Sequence, residues 1–354
     1  MTTRVAVKPE LLYWACDRTG LGLDAYTGRF PQLLAWARGD GQPTLKQLES
    51  FAKATHAPIG YFFLPEPPEE RLPIPDFRTV SGSKGERPSP DLLETIYICQ
   101  QRQEWYREFA RSIGDKPLKF VGSLHVTDDV ISAAQKIRSS LGFDIAKRAD
   151  MATWTDALRH FIELADSTGI MVMCSGVVLN NSHRHLDPDE FRGFAIADDT
   201  APVIFINGAD TKAAQMFTLA HELAHVWLGQ SALSNASAAS LSQQKVERWC
   251  NQVAAELLVP LAAMRAEYDR KNGLQVELTR LARRFKVSTL VILRRIHDAG
   301  GLTWEQLGKA YDEEQARLRV VSKGGGGNFY LTQAARVSKR FARAIVESTW
   351  EGRS

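Results

Sequence analysis

The sequence predicts an α+β fold, mainly helical, with one small β-sheet near the middle of the chain. Three observations carry that expectation. Apolar residues recur at helical spacing over most of the 354 residues. Short apolar runs of strand character, Ile170 to Val178, Phe191 to Ala197 and Val203 to Ile206, fall close together. A long helix-forming run follows them directly, with Asp210 placed to cap it.

Bulk properties narrow the class further. A hydrophobic content of 44% with 24% charged residues is that of an ordinary soluble protein. A net charge of +3 is too small to argue for nucleic acid by itself. Cys16, Cys99, Cys174 and Cys250 are scattered, with no Cys-x-x-Cys spacing, which suits a reducing compartment. No apolar stretch approaches the length of a membrane span, and the N-terminus lacks a signal-peptide core. A cytoplasmic location and no membrane partner are therefore expected.

Residues 1–78 read as a compact helical unit. Pro9 to Arg18 forms the first helix, with Leu11, Leu12 and Ala15 on one side. Leu23 to Phe30 and Pro31 to Arg38 are shorter helices, and Thr44 caps a fourth, Leu45 to Thr55, whose Leu48, Phe51 and Ala52 face inward. The pattern resembles a Cro/repressor-type helix-turn-helix. Between Arg29 and Pro31, however, the turn and opening of a recognition helix are shortened by about one helical turn. Pro31 to Arg38 also offers few polar side chains for base edges. A helical packing or partner-binding module and a DNA-binding module both stay open.

In the apolar run Ile59 to Pro68, Phe62 and Phe63 are expected to pack this unit onto the rest, and the prolines forbid helix. Residues 79–114 read as a linker and a bridging helix. Ser, Gly and Lys dominate residues 78–88, then Ser89 caps a helix with Pro90 at its first position. That helix, Asp91 to Ile113, carries Leu92, Ile96, Cys99, Tyr106 and Phe109 along one stripe. Helical patterns at Thr127 to Leu141 and Ala152 to Asp166 open a third domain, residues 115–270.

The segment Phe217 to Trp227 is the most informative part of the chain. It contains His-Glu-x-x-His, with His221, Glu222 and His225 inside one helical run. Positions i and i+4 share a helix face, so both imidazoles can reach one metal ion. Glu222 can aim its carboxylate at a water beside that ion and serve as general base. A catalytic zinc site takes a third protein ligand and leaves one position open. Val246 to Pro260 offers Glu247 and Glu256, nine residues apart, which at about 100° per residue lie on opposite faces of one helix. Glu247 has Asn251 one turn further along its own face, where an amide can orient a ligand. Glu256 precedes Leu257, Leu258 and Val259 and reads as a structural carboxylate. Cys250 remains an alternative ligand, with Glu247 favoured because carboxylates are the commoner completion of this motif in hydrolases.

With these residues in view, the chain resembles the ImmA/IrrE family of metallopeptidases. The resemblance rests on Glu190-Phe-Arg-Gly-Phe194, Ala201-Pro-Val-Ile-Phe-Ile-Asn207, Phe217 to His225 and Glu247 to Pro260, in that order, over roughly residues 150–265. It implies a zincin-like (gluzincin) domain and a zinc-dependent endopeptidase with His221, His225 and Glu247 as Zn2+ ligands and Glu222 as base. It also implies a protein substrate, a helix-turn-helix repressor or a toxin/antitoxin partner. In such folds an edge strand can take up the substrate by β-addition. Val203 to Asn207 is the expected edge, with Asn207 touching substrate; an internal core strand is the competing reading. His183, in the loop Asn180 to Asp187, and Arg192 are candidates to stabilise an oxyanion.

Residues 271–354 read as a basic helical region. Leu274 to Phe285 and Thr289 to His297 hold Arg280, Arg283, Arg284, Lys286, Arg294 and Arg295. A second DNA-contacting helix pair and a solvated or protein-binding face both stay open. Gly324 to Gly327 lacks the Gly-Lys-Ser/Thr ending of a phosphate loop and reads as a hinge. The chain stops within or just after a helix, whereas relatives in the resembled family often continue, so a shortened form stays open. DNA and a second copy of the chain are further partners kept open. A regulator that only binds, using the peptidase fold as a platform, is the competing function.

Overall fold

The computed structural model describes residues 3–77, 87–234, 245–321 and 336–350. The expected linker falls mostly outside the described residues, and the Gly324 to Gly327 hinge falls wholly outside them. The chain divides into two compact units, Met1–Pro73 with Val80–Tyr97, and Ile74–Thr79 with Ile98–Ser354.

The first unit holds α1 (Pro9–Asp17), α2 (Asp24–Thr27), α3 (Leu33–Arg38), α4 (Leu45–Ala54) and a 3-10 turn, Ile59–Phe63. The Thr44 hydroxyl accepts from Gln47 N and Gln47 Oε1 accepts from Thr44 N, a reciprocal cap that starts α4 where expected. Leu11, Leu12, Leu33, Trp36, Leu48 and Phe51 form its core. Phe62 belongs to that same core, edge-on to Phe51 at 5.7 Å. Phe63 is 54% exposed. Phe62 is therefore used inside its own unit, against the expectation that it packs that unit onto the rest.

The second unit takes up α5 (Pro90–Ser112) from Ile98 onward. Then follow α6 (Val130–Leu141), α7 (Ile145–Ala149), α8 (Trp154–Ser167), β1 (Met171–Ser175), β2 (Gly193–Ile196), β3 (Val203–Asn207) and α9 (Lys212–Leu228). After β4 (Ala232–Ser234) come α10 (Lys245–Leu258), α11 (Leu261–Glu267), α12 (Leu274–Phe285), α13 (Thr289–Asp298), α14 (Trp304–Val321) and α15 (Lys339–Trp350). No described helix is long and apolar enough to cross a membrane.

The four strands form one mixed sheet in the order β1-β3-β2-β4, with β1 parallel to β3 and the other pairs antiparallel. Val172, Ile204 and Ala195 are in register on one face and enter the main core with α6, α8, α9 and α10. Met173, Phe205 and Phe194 lie on the other face, where Cys99 Sγ of α5 is 3.7 Å from Met173 Sδ and Gln103 Nε2 donates to the carbonyls of Ile196 and Ala201. Both faces are covered, which is why these strands read as continuous apolar runs. β3 lies inside the sheet with a partner on each side, so the expectation of Val203 to Asn207 as a substrate-binding edge is overturned.

Two features place α9 and α10. α9 is capped by the Thr211 hydroxyl, which accepts from Ala214 N, and not by Asp210 as expected; Asp210 instead faces Arg192 at 3.7 Å. It ends at Gly229, whose φ of +66° is the left-handed turn that closes a helix. The end of α10 is held by arginines from three other helices. Arg138 Nη1 donates to Glu256 O and Arg295 Nε to Val259 O, each at 2.8 Å, and Arg148 Nη2 donates to Leu258 O. Terminal carbonyls of a helix lack intrahelical partners, and cations are favoured there. Burial, together with Arg138 and Arg284 nearby, pulls the Arg148 guanidinium down to about 9.

Candidate metal centre

α9 is buried from Gln215 to Trp227, and its 3.6-residue period sets His221 and His225 on the side that meets α10. There Glu247, in the first turn of α10, closes a triangle. His225 Nε2 lies 3.1 Å from His221 Nε2 and 2.9 Å from Glu247 Oε1, and His221 Nε2 is 3.3 Å from Glu247 Oε2. Ligands about 2.1 Å from a tetrahedral zinc sit roughly 3.4 Å from each other, so the triangle is close to the size of one face of a zinc site. Among the described residues, His221, His225 and Glu247 are the group able to hold a metal.

The surrounding polar atoms fit the same ion. Both oxygens of Glu222, fully buried, have no hydrogen-bond partner, nor do Thr218 Oγ1, Ser234 Oγ and Asn251 Oδ1. Leaving one buried polar atom unsatisfied costs about 1–3 kcal/mol, and a carboxylate more. Several together around two imidazoles and a carboxylate match a site built for a cation and its polar company. Burial works against Glu247, but the two imidazoles overcome it and hold its carboxyl at about 2. Burial pushes Glu222 well above the usual carboxylate range, and the Glu247 charge adds to this; Ser234 beside it works the other way without closing a hydrogen bond. Burial likewise lowers His225.

The neighbouring carboxylate and thiol have other surroundings. Glu256 accepts from Leu261 N and pairs with Arg295, a structural carboxylate as its sequence neighbours suggested. Cys250 is buried in the main core and stands outside the donor triangle; burial, then Glu247 and Glu222, raises its thiol well above the ordinary range. Asn251 lies one turn beyond Glu247, nearly buried, with its carbonyl oxygen unpaired.

The remaining candidates make other contacts, although Arg192 stays close to the site, its N–H donating to Ser234 O at 3.4 Å. His183 is exposed, its backbone N–H donating to Asn181 Oδ1 at 3.0 Å. Arg192 faces the half-buried Asp210 at 3.7 Å, the ion-pair reading of that residue. Asn207 is buried, with Nδ2 donating to Phe191 O and Oδ1 accepting from Ala209 N, so its amide holds the turn after β3. The basic stretch carries its own counterions: Arg280 with Glu277, Arg284 with Glu267, Arg294 with Asp298 and Arg295 with Glu256.

Three contributors were missed in the sequence. Gly193 lets α9 lie on β2, because a Cβ there would meet Thr218 Cγ2 at 2.5 Å and Phe205 O at 2.8 Å, with Glu222 Cγ at 3.5 Å. A glycine inside a strand is itself a signal of close approach. Ser234, in a three-residue strand, gave none. Phe77, whose ring stacks on His225 with centroids 6.1 Å apart, lies some 150 residues away in sequence.

A comparison with curated proteins gave no match. Residues 165–297 match the model of the peptidase M78 family described as the IrrE N-terminal-like domain, and all four residues of the site, His221, Glu222, His225 and Glu247, fall inside that stretch.

Proposed function

We propose that the chain is a zinc-dependent endopeptidase. The observation that carries this reading is the paired arrangement of a zinc-sized donor triangle and, one residue from its first member, a buried carboxylate with no competing partner. A scaffold that only binds has no use for such a carboxylate. His221, His225 and Glu247 would hold the zinc ion, which would supply Lewis-acid chemistry toward a carbonyl and a water near neutral pH. Glu222 accepts the proton of the attacking water and returns it to the leaving amine. Thr218 and Ser234 line the same space with free hydroxyls that can orient water or substrate.

The substrate class follows from the resemblance to ImmA/IrrE proteins: a helix-turn-helix repressor or a toxin/antitoxin partner, cleaved in the cytoplasm. The test is zinc content and cleavage together. Wild type is expected to hold about one zinc per chain, Glu247→Ala to lose it, and Glu222→Gln to keep it while losing cleavage of a partner encoded beside it. Equal cleavage by Glu222→Gln would sink the reading.

A further inference from the structure

Residues 74–77 belong to the same compact unit as the metal centre, although the chain on either side, Met1–Pro73 and Val80–Tyr97, belongs to the other. They run along the outer edge of β4. Leu233 N donates to Pro75 O and Leu233 O accepts from Phe77 N, both at 2.9 Å, so Asp76 pairs with Leu233 in parallel. The next side chain, Phe77, lies against the imidazole of His225, its ring plane tilted by 24°. The next residue of β4, Ser234, lies beside Glu222.

The position of this edge gives the contact its meaning. In the order β1-β3-β2-β4 the strands beside Glu222 are β2 and β4, through Gly193 and Ser234. β2 is paired on both sides. The outer edge of β4 is therefore the backbone edge, on the side of the metal centre, where an extended peptide can add to the sheet. The segment Ile74-Pro-Asp-Phe77 takes that edge with a minimal ladder. Pro73 and Pro75 have no N–H to offer a further strand. Ile74 between them is buried.

We propose that Ile74 to Phe77 is a built-in occupant of the substrate's pairing site, a reading that rests on the peptidase proposal above. The substrate is an extended peptide that displaces this strand, takes both backbone hydrogen bonds of Leu233, and sets a large apolar side chain against His225 in place of Phe77. Because the strand is covalently tethered, its local concentration is on the order of millimolar, and a free peptide must outcompete it.

The probe is a fluorescein-labelled octapeptide with the sequence of residues 72–79, Leu-Pro-Ile-Pro-Asp-Phe-Arg-Thr, titrated by anisotropy into the full-length, zinc-loaded protein. Phe77→Pro removes both the N–H that Leu233 accepts from and the ring. It is expected to bind the octapeptide at least about 10-fold more tightly than wild type. Phe77→Leu restores near-wild-type behaviour, and an octapeptide with alanine at the phenylalanine position binds neither protein. In hydrogen exchange, the Leu233 amide loses about 10-fold or more of its protection in Phe77→Pro and regains it with octapeptide. If Phe77→Pro melts early, Phe77→Ala, which keeps the N–H, must shift affinity in the same direction. Equal octapeptide affinity for wild type and variants, no binding to any of them, or unchanged Leu233 exchange overturns the proposal. Binding gained without cleavage of any peptide upholds the occupied edge and sinks the peptidase reading. Cleavage equal in wild type and variants, without a gain in binding, does the reverse.

Discussion

Arg295 of α13 closes on Glu256 at the end of α10 opposite Glu247, and both of its partners at that end, the Glu256 carboxylate and the Val259 carbonyl, are buried. Two acids nine residues apart on one helix thus have separate roles. Removing one partner of a buried ion pair strands the other, at about 3–5 kcal/mol. Glu256→Ala is expected to lower unfolding free energy by that order while zinc content at low temperature stays at about one per chain. Glu247→Ala is expected to lose zinc with far-UV circular dichroism unchanged. Elemental analysis beside urea unfolding checks both, and the opposite pattern would exchange the two assignments.

Gly193→Ala puts a methyl group where Thr218 and the Phe205 carbonyl already lie. Overpacking of this kind costs about 1–3 kcal/mol. Glu222 moves with the helix, so cleavage should fall more than stability alone explains. A second variant, Gly193→Ala with Thr218→Ser, removes the Thr218 methyl that stands 2.5 Å from the added Cβ. It should recover part of both losses. No recovery would mean that the Phe205 backbone contact dominates.

Zinc removal should be visible without any substrate. A ligand that binds only the folded state stabilises it by about 2.7 kcal/mol at one hundred times its dissociation constant. Treatment with a chelator should lower the melting temperature of wild type, and stoichiometric zinc should restore it. Glu222→Gln should respond like wild type and His221→Ala should not. A melting temperature indifferent to chelator in all three proteins argues against a bound ion.

Acid sensitivity is expected in the C-terminal helices. The Arg280 side chain, with Asp269 N and Asn272 donating as well, holds Glu277 down to about 2 from its ordinary 4.5. A depressed carboxyl stabilises the fold above its unfolded value and loses that contribution as pH falls from about 4.5 toward 2. The full contribution is on the order of 2–3 kcal/mol at pH 7. Glu277→Gln should flatten the dependence of stability on pH between about 5 and 2, measured by denaturant unfolding. An unchanged slope would remove Glu277 as its source.

Periodicity made the donor triangle legible. The i, i+4 spacing of His221 and His225 and the nine-residue gap from Glu247 to Glu256 are properties of any helix, and they required no knowledge of neighbours. Strand order was another matter. β3 is apolar throughout because both faces are covered, and that pattern does not say which strands lie beside it. β4 is three residues long, too short for alternation to register. Asp210 and Thr211 are both good caps, and the choice fell to the residue not drawn toward Arg192. Phe77 reaches His225 only through the folded path of the chain, which no local pattern encodes.

The arginines at the end of α10 bear on where the half of the chain that holds the metal centre can be cut. A fragment ending near residue 270 keeps every donor atom of the site but discards Arg295. Glu256 and the Val259 carbonyl would then face an empty groove where α13 had packed. The helix that presents Glu247 would fray from its far end, and a fragment chosen by the zinc motif alone would bind metal poorly for reasons unconnected with its ligands. A fragment that keeps the end of α10 in place therefore has to include Arg295 of α13, which makes the basic helical region a foundation of the site and not an appendage to it.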